Sequence, residues 1–149
     1  MKINPLIELW KQSGEKIVFT NGCFDIIHFG HVHYLKEAKS LGDKLVVGVN
    51  SDASVQHLKG KHRPINTLSE RIKVLEAIRH IDLIITFEED TPLQLIEIIQ
   101  PDVLVKGGDY QADEIVGGKA VIQNGGEVQI LSLKEGLSTS AMIESIRKT

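Results

Sequence analysis

The sequence predicts a doubly wound α/β domain, on three observations. Apolar runs rich in β-branched residues alternate with segments of helical period. One run, Lys44–Asn50 (KLVVGVN), is continuous enough to be covered on both faces, as central strands of a parallel sheet are. The helical segments carry their own start and stop residues, so strand and helix alternate as crossover units require. The 149 residues suit one domain, 1–149, with a core of its own.

Each element has a local reason. A short amphipathic helix is expected around Asn4–Gln12. Lys16–Asn21 (KIVFTN) reads as the first strand and Lys44–Asn50 as the second. Between them Val32, Leu35, Ala38 and Leu41 fall at helical spacing, and Gly42 is the stop signal. Thr67 stands three residues before Glu70, a capping box that opens the helix LSERIKVLEAIRH. Asp82–Phe87, Asp102–Lys106 and Glu127–Leu131 are the remaining strands. In TPLQ, Thr91 reads as a cap, Pro92 as the first helical residue and Gln94 as the capping-box partner. A last helix starts near Ser138–Ser140. Ser51–Asn66, moderately basic, and Gly107–Gly118, rich in glycine, read as loops. The sum is a Rossmann-like parallel sheet of five strands with helices on both faces. Ligands of such sheets bind beyond the carboxyl ends of the strands, where strand order reverses.

Composition narrows the function classes. A net charge of −3 argues against general nucleic-acid binding. No apolar run reaches the ~18 residues of a membrane span. The N-terminus lacks the apolar stretch of a signal peptide. The lone Cys23 forms no internal disulfide and is compatible with a reducing compartment. The expected location is the cytoplasm, with small-molecule substrates and neither nucleic acid nor membrane as partner.

FDIIHFGH (24–31) sits at the junction of the first strand and the first long helix. Free backbone N–H groups and the helix dipole make that junction a phosphate site. Neither a Gly-x-Gly-x-x-Gly fingerprint nor a P-loop is present; the Gly-Lys pairs, Gly60-Lys61 and Gly118-Lys119, are followed by His62 and Ala120 rather than Ser or Thr. His28 and His31 share a helical face and can donate to phosphate oxygens, while Gly30 admits close backbone approach. Such a pair can stabilise charge on a phosphorus centre under attack. Satisfied structural histidines and a metal site are the alternatives; the metal reading lacks ligands, because His33 points elsewhere. Asp25 is either a turn residue or part of the site.

FTNGCFDIIHFGHVHYLKEAKSLGDKLVVGVNSD resembles the nucleotidyltransferase superfamily with a His-x-Gly-His signature, which class I aminoacyl-tRNA synthetases share. RPINTLSERIKVLEAI, FEEDTPLQLI, PDVLVKGGDY, NGGEVQIL and EGLSTSAMI extend the likeness over nearly the whole chain, and VKGGDY makes it similar to the adenylyltransferase domain of ADP-heptose synthases. The resemblance implies transfer of AMP from ATP to D-glycero-β-D-manno-heptose 1-phosphate, with Mg²⁺ bound mainly through the ATP phosphates. A cytidylyltransferase for a polyol or alcohol phosphate, or a nucleotide-binding sensor without turnover, are the other readings. Relatives are commonly dimers, which implies a homodimer.

Carried onto this chain, the resemblance makes His28, His31 and Lys61 catalytic. It gives the nucleotide to Asn21, Gly22, Cys23, Phe24, Asp25, His28, Gly30, His31, Arg71, Lys106, Gly107, Asp109, Ser138, Thr139 and Ser140. Lys59, Lys61 and Arg63 would bind the triphosphate or the acceptor phosphate. Arg71 in the first turn of its helix is at the end that disfavours cations, and a phosphate ligand would explain it. Related cytidylyltransferases carry Arg-Thr before Glu-Gly; here Leu133 and Lys134 stand there, and Lys134 is a point charge rather than a bidentate fork.

Overall fold

A computed structural model describes residues 2–108, 110–133 and 138–149. The elements run α1 (Pro5–Gln12), β1 (Ile17–Gly22), α2 (Phe29–Lys39), β2 (Lys44–Asn50), α3 (Asp52–Lys59), α4 (Leu68–Glu76), β3 (Leu83–Phe87), α5 (Leu93–Ile99), β4 (Val103–Gly107), a 3₁₀ turn (Ala112–Glu114), α6 (Gly118–Gln123), β5 (Glu127–Leu131) and α7 (Thr139–Arg147). The five strands form one sheet in the order β3-β2-β1-β4-β5, and every pairing is parallel.

Strand alternation divides the core in two. Ile17, Phe19, Val46 and Leu104 face α1, α5 and α6, where they meet Ile7, Leu95, Ile96, Ile99 and Val121. Val18, Leu45, Val47, Val49, Val103 and Val105 face α2 and α4, where they meet Leu35, Ala38 and Leu75. Gly48 of β2 is on the first face because a Cβ there would lie 2.9 Å from Phe19 Cζ.

Three aspartates fix the amino ends of the strands. Asp43, Asp82 and Asp102 each stand immediately before a strand. The Asp43 carboxylate accepts the Lys16 N–H at 2.7 Å, Asp82 that of Leu45 at 2.7 Å, and Asp102 that of Ile17 at 2.8 Å. In return the backbone N–H of each aspartate donates to the carbonyl of the same residue it holds. Asp82 and Asp102 are therefore clamps before β3 and β4, not the first strand residues that the sequence suggested.

Other differences have local causes. Ser51–Asn66 is not all loop: α3 fills its first half, capped by Ser51, whose hydroxyl accepts the Ser54 N–H. In TPLQ the helix begins at Leu93 with no side-chain capping bond, and Pro92 is the cap rather than the first turn. α4 stops at Glu76, because Ala77, Ile78 and Ile81 donate to carbonyls three residues back and tighten the chain out of the α-helix. Gly107–Gly118 contains the 3₁₀ turn, and α6 follows it where no helix was expected.

The sheet opens where its order reverses. The β1–β4 register covers Val18–Val103 and Phe19–Leu104 and goes no further. Beyond it the Thr20 hydroxyl donates to the Val105 carbonyl at 3.0 Å and so accepts from the Tyr34 hydroxyl at 2.7 Å. Burial pushes Tyr34 up to about 12, so it keeps the proton it donates. The strand ends part above this bridge.

Candidate active site

The crevice above β1 and β4 holds a cavity of about 670 Å³, within the size range of small-ligand sites. Asn21, Gly22, Cys23, Phe24 and Asp25 bound it on the β1 side, and Lys106 and Gly107 on the β4 side. The amino ends of α2 and α7 point into it with His28, Gly30, His31, Ser138, Thr139 and Ser140.

Asp25 orders the β1–α2 corner. Its side chain is fully buried and accepts from Arg63 Nε at 2.7 Å, from the Ile65 N–H at 2.8 Å and from the Asn66 N–H at 2.8 Å. Burial alone would raise its carboxyl; the Asn66 and Ile65 N–H groups and the Arg63 guanidinium outweigh that and hold it below the usual range. The Asn66 side-chain amide closes the tie on the Asp25 carbonyl at 2.7 Å. Phe24 is carried through this corner at φ +50°, an uncommon conformation for a bulky residue.

The histidines are not simply neighbours on one helical face. His28 is the N-cap of α2 in extended backbone, and His31 is the third helical residue. His28 Nδ1 accepts the Gly30 N–H at 3.1 Å, while the His28 N–H donates to His31 Nδ1 at 3.2 Å. The two rings form a reciprocal capping box, with centroids 4.0 Å apart. An Nδ1 that accepts a backbone proton carries none of its own, so each neutral ring bears its proton on Nε2. Burial lowers His28, and burial together with the His28 charge lowers His31 to about 4. His28 Nε2 is buried with no partner among the described residues. The first turn of α2 contains no acidic residue to compete with an anion. The pair presents two neutral donors at the positive end of a helix dipole, a cradle for phosphate oxygen.

Cations line the cavity around this cradle. Lys59, Arg63 and Lys106 reach it. Arg63 Nε is held by Asp25, whereas Lys59 and Lys106 make no ion pair among the described residues. Lys106 is lowered chiefly by burial, and its Nζ lies 5.9 Å from the Tyr110 ring centroid. Gly107 is small for a reason: a Cβ there would meet Leu133 Cδ2 at 2.7 Å. At α7 the Ser138 hydroxyl accepts the Ala141 N–H, and the Thr139 hydroxyl donates to the Ile26 carbonyl at 2.9 Å, tying that helix to the β1–α2 turn. Cys23 is half-buried, and burial pushes its thiol up, so it is a packed neutral group.

Arg71 and Lys61 are not brought to the cavity. Arg71 is fully buried: Nη1 donates to the Cys23 carbonyl at 2.7 Å and the Asn50 carbonyl at 2.8 Å, Nη2 to Asp52 at 2.8 Å, and Nε to the Asn66 carbonyl at 3.2 Å. Protein acceptors, rather than a ligand phosphate, account for a cation in the first turn of α4. Lys61 is exposed and outside the lining. Asp109 and Lys134, with Glu135 and Gly136, lie outside the described residues. His33 turns away and pairs with Glu37 along α2. Sequence reasoning missed Asn50, Asp90 and Tyr110 on the cavity wall. The one signal is for Asn50, which closes β2; nothing local marks Asp90 or Tyr110.

Neutral imidazole donors at a strand-order reversal, with Lys59 and Lys106 beside them unpaired among the described residues, suit a nucleotidyltransferase type of α/β domain. The comparisons agree: the Cytidylyltransferase-like family model matches residues 19–145, and the chain belongs to that family. The protein named "Bifunctional protein HldE" of Nitrosococcus oceani is 57% identical over 142 residues, covering 95% of this chain and 30% of its own length. Its namesake in Proteus mirabilis is 51% identical over 147 residues, covering 99% and 31% respectively. The chain thus spans less than a third of these relatives. Among solved structures, the lipopolysaccharide core biosynthesis protein from Thermoplasma volcanium matches with a TM-score of 0.66 and 32% identity, over 81% of this chain and 98% of that one.

Proposed function

We propose that this single-domain chain transfers AMP from ATP to D-glycero-β-D-manno-heptose 1-phosphate, releasing pyrophosphate and forming ADP-heptose. The observation that carries nucleotidyl transfer is the His28–His31 capping box, which fixes two Nε2–H donors at the mouth of α2. Support for heptose comes from the VKGGDY resemblance, from relatives named HldE, and from a neighbour titled as a lipopolysaccharide core biosynthesis protein.

In this reading an oxygen of the sugar phosphate forms a bond to the α-phosphorus. The bond from that phosphorus to the bridging oxygen breaks, and its electron pair leaves with pyrophosphate. His28 and His31 donate Nε2–H bonds to the oxygens that gain charge, and Lys59, Arg63 and Lys106 neutralise the rest. A pyrophosphate leaving group needs no proton, which suits histidines held neutral. The half-buried, neutral Cys23 takes no covalent part. The Mg²⁺ implied by the resemblance would be bound mainly through the ATP phosphates, where it would supply charge neutralisation. The same reading has the enzyme work in the cytoplasm as a homodimer.

The test is pyrophosphate release with ATP or CTP against a panel of sugar 1-phosphates and polyol phosphates. ATP with heptose 1-phosphate is expected to give the highest kcat/KM. Preference for CTP with a polyol phosphate overturns the proposal in favour of a cytidylyltransferase, and nucleotide binding without turnover in favour of a sensor.

A further inference from the structure

The polar bridge under the crevice takes no direct part in the chemistry, yet it joins the two sides of the site. The β1–β4 register stops at Phe19–Leu104. The next residue of β4, Val105, is fully buried, and a buried carbonyl there needs a donor. The Thr20 hydroxyl, itself fully buried, donates to it at 3.0 Å and accepts from the Tyr34 hydroxyl at 2.7 Å. A hydroxyl has one proton to give, so the order runs from Tyr34 to Thr20 to Val105. A side-chain bond thus stands where the strand ladder has ended.

Tyr34 reaches this bridge from α2. It stands three residues after His31, so its ring and that imidazole leave the helix on one face. The ring borders the cavity and packs beside Gly107, where a Cβ would come within 3.1 Å of Tyr34 Cε2. Gly107 follows Lys106 directly and ends β4. One side chain therefore spans from the helix of the imidazole cradle to the strand that carries Lys106. Its ring sets how near β4 comes to α2, and its hydroxyl, through Thr20, ties α2 to both strands where they part. Apolar contact is non-directional and tolerates sliding, whereas a hydrogen bond fixes direction as well as distance.

Resting on the nucleotidyl transfer proposed above, we infer that Tyr34 and Thr20 are positioning residues: their paired hydroxyls fix the width of the crevice, and with it the spacing of the His28–His31 cradle from Lys106. Neither hydroxyl touches the reacting atoms in this role. A shift of about 1 Å between such groups costs up to about 100-fold in rate, so a bond remote from phosphorus can govern the chemical step.

The experiment is steady-state kinetics on Tyr34→Phe, Thr20→Val and Thr20→Ser, with ATP and heptose 1-phosphate varied in turn and thermal unfolding as the check of folding. Tyr34→Phe keeps the ring and loses the tie, and should lower kcat about fivefold while each KM moves less than about twofold. Thr20→Val keeps the shape but leaves the Val105 carbonyl without its donor, and should lower kcat about thirtyfold. Thr20→Ser keeps the hydroxyl and should hold kcat within about twofold of wild type. In Thr20→Val the phenol has lost its acceptor, so adding Tyr34→Phe should lower kcat no further. If Thr20→Val does not fold, Tyr34→Phe and Thr20→Ser decide the matter. An unchanged kcat in Tyr34→Phe, a raised KM at unchanged kcat, or a loss in Thr20→Ser equal to that in Thr20→Val overturns the inference, while wild-type turnover leaves the proposed reaction intact. Wild-type protein that releases no pyrophosphate with any sugar phosphate overturns the proposed reaction itself, and this role with it.

Discussion

The β1–α2 corner and the β4–α7 wall enclose the same cavity and are built on opposite plans. In the corner almost every polar group is spent on the protein: Asp25 on the 63–66 segment, Arg71 on Cys23, Asn50, Asp52 and Asn66, and both imidazole Nδ1 atoms on backbone. On the wall, Lys106 makes no ion pair among the described residues and lies near the Tyr110 ring, and no bond of the Ser140 side chain is made among the described residues. The corner is pre-organised, as chemistry at phosphorus demands. The wall keeps its donors for whatever binds.

That contrast breaks most sharply at His31. His31→Ala should cost about 3 kcal/mol of barrier or more, read as a fall in kcat with little change in KM. An intact kcat would show that the cradle is structural. Asp25→Ala comes next, in stability rather than chemistry. It strands the Arg63 guanidinium and two backbone N–H groups, and should lower unfolding free energy by about 3 kcal/mol in urea titration. Arg71→Lys keeps the charge and loses the fork, so stability should drop by about 2 kcal/mol while nucleotide affinity changes less. If affinity fell more than stability, Arg71 would belong to the ligand after all.

Acid should act on the corner too. His31 is lowered from 6.5 to about 4. Across that window the unfolded chain takes up a proton that the folded chain refuses, so stability falls as pH is lowered from 6.5 towards 4 and is flat above it. His28 shifts the same way. Asp25, held low, contributes stability above its unfolded range and loses it as pH falls through its folded value, which extends the decline. Denaturation midpoints across pH should show the upper part of this slope flattened in His31→Ala. The smallest effects test the loop lysines. Lys59→Ala should raise a substrate KM about tenfold, and Lys61→Ala, exposed and off the cavity, less than about threefold.

Much of the frame was legible in local pattern. β2 and β5 run as read, the Thr67–Glu70 capping box is present, and Asn4 and Ser138 cap helices where helices were expected. These features depend on spacing within a few residues. α3 was missed because Val55 and Leu58 alone mark its apolar side within a polar stretch. The partners of Arg71 lie up to 48 residues away, so no local pattern distinguishes a buried tie from a ligand-binding cation. His28 and His31 were legible as a phosphate pair, but histidine is not among the favoured N-caps, and only the backbone geometry reveals that capping sets their tautomers. Asp90 was invisible for the same reason as Arg71: its His57 tie spans 33 residues.

The aspartate clamps at the amino ends of β1 to β4 have a consequence for how such a domain changes its substrate. A one-residue slip between strands would turn every side chain to the wrong face. Here the alignment of three neighbouring strand pairs is locked at the end remote from the cavity. The segments after β2 and β3 that carry Lys59 and Asp90 bear no share of that duty. They form an interchangeable upper storey, and exchanging one for the equivalent segment of a relative should alter substrate choice while the foundations stay in place.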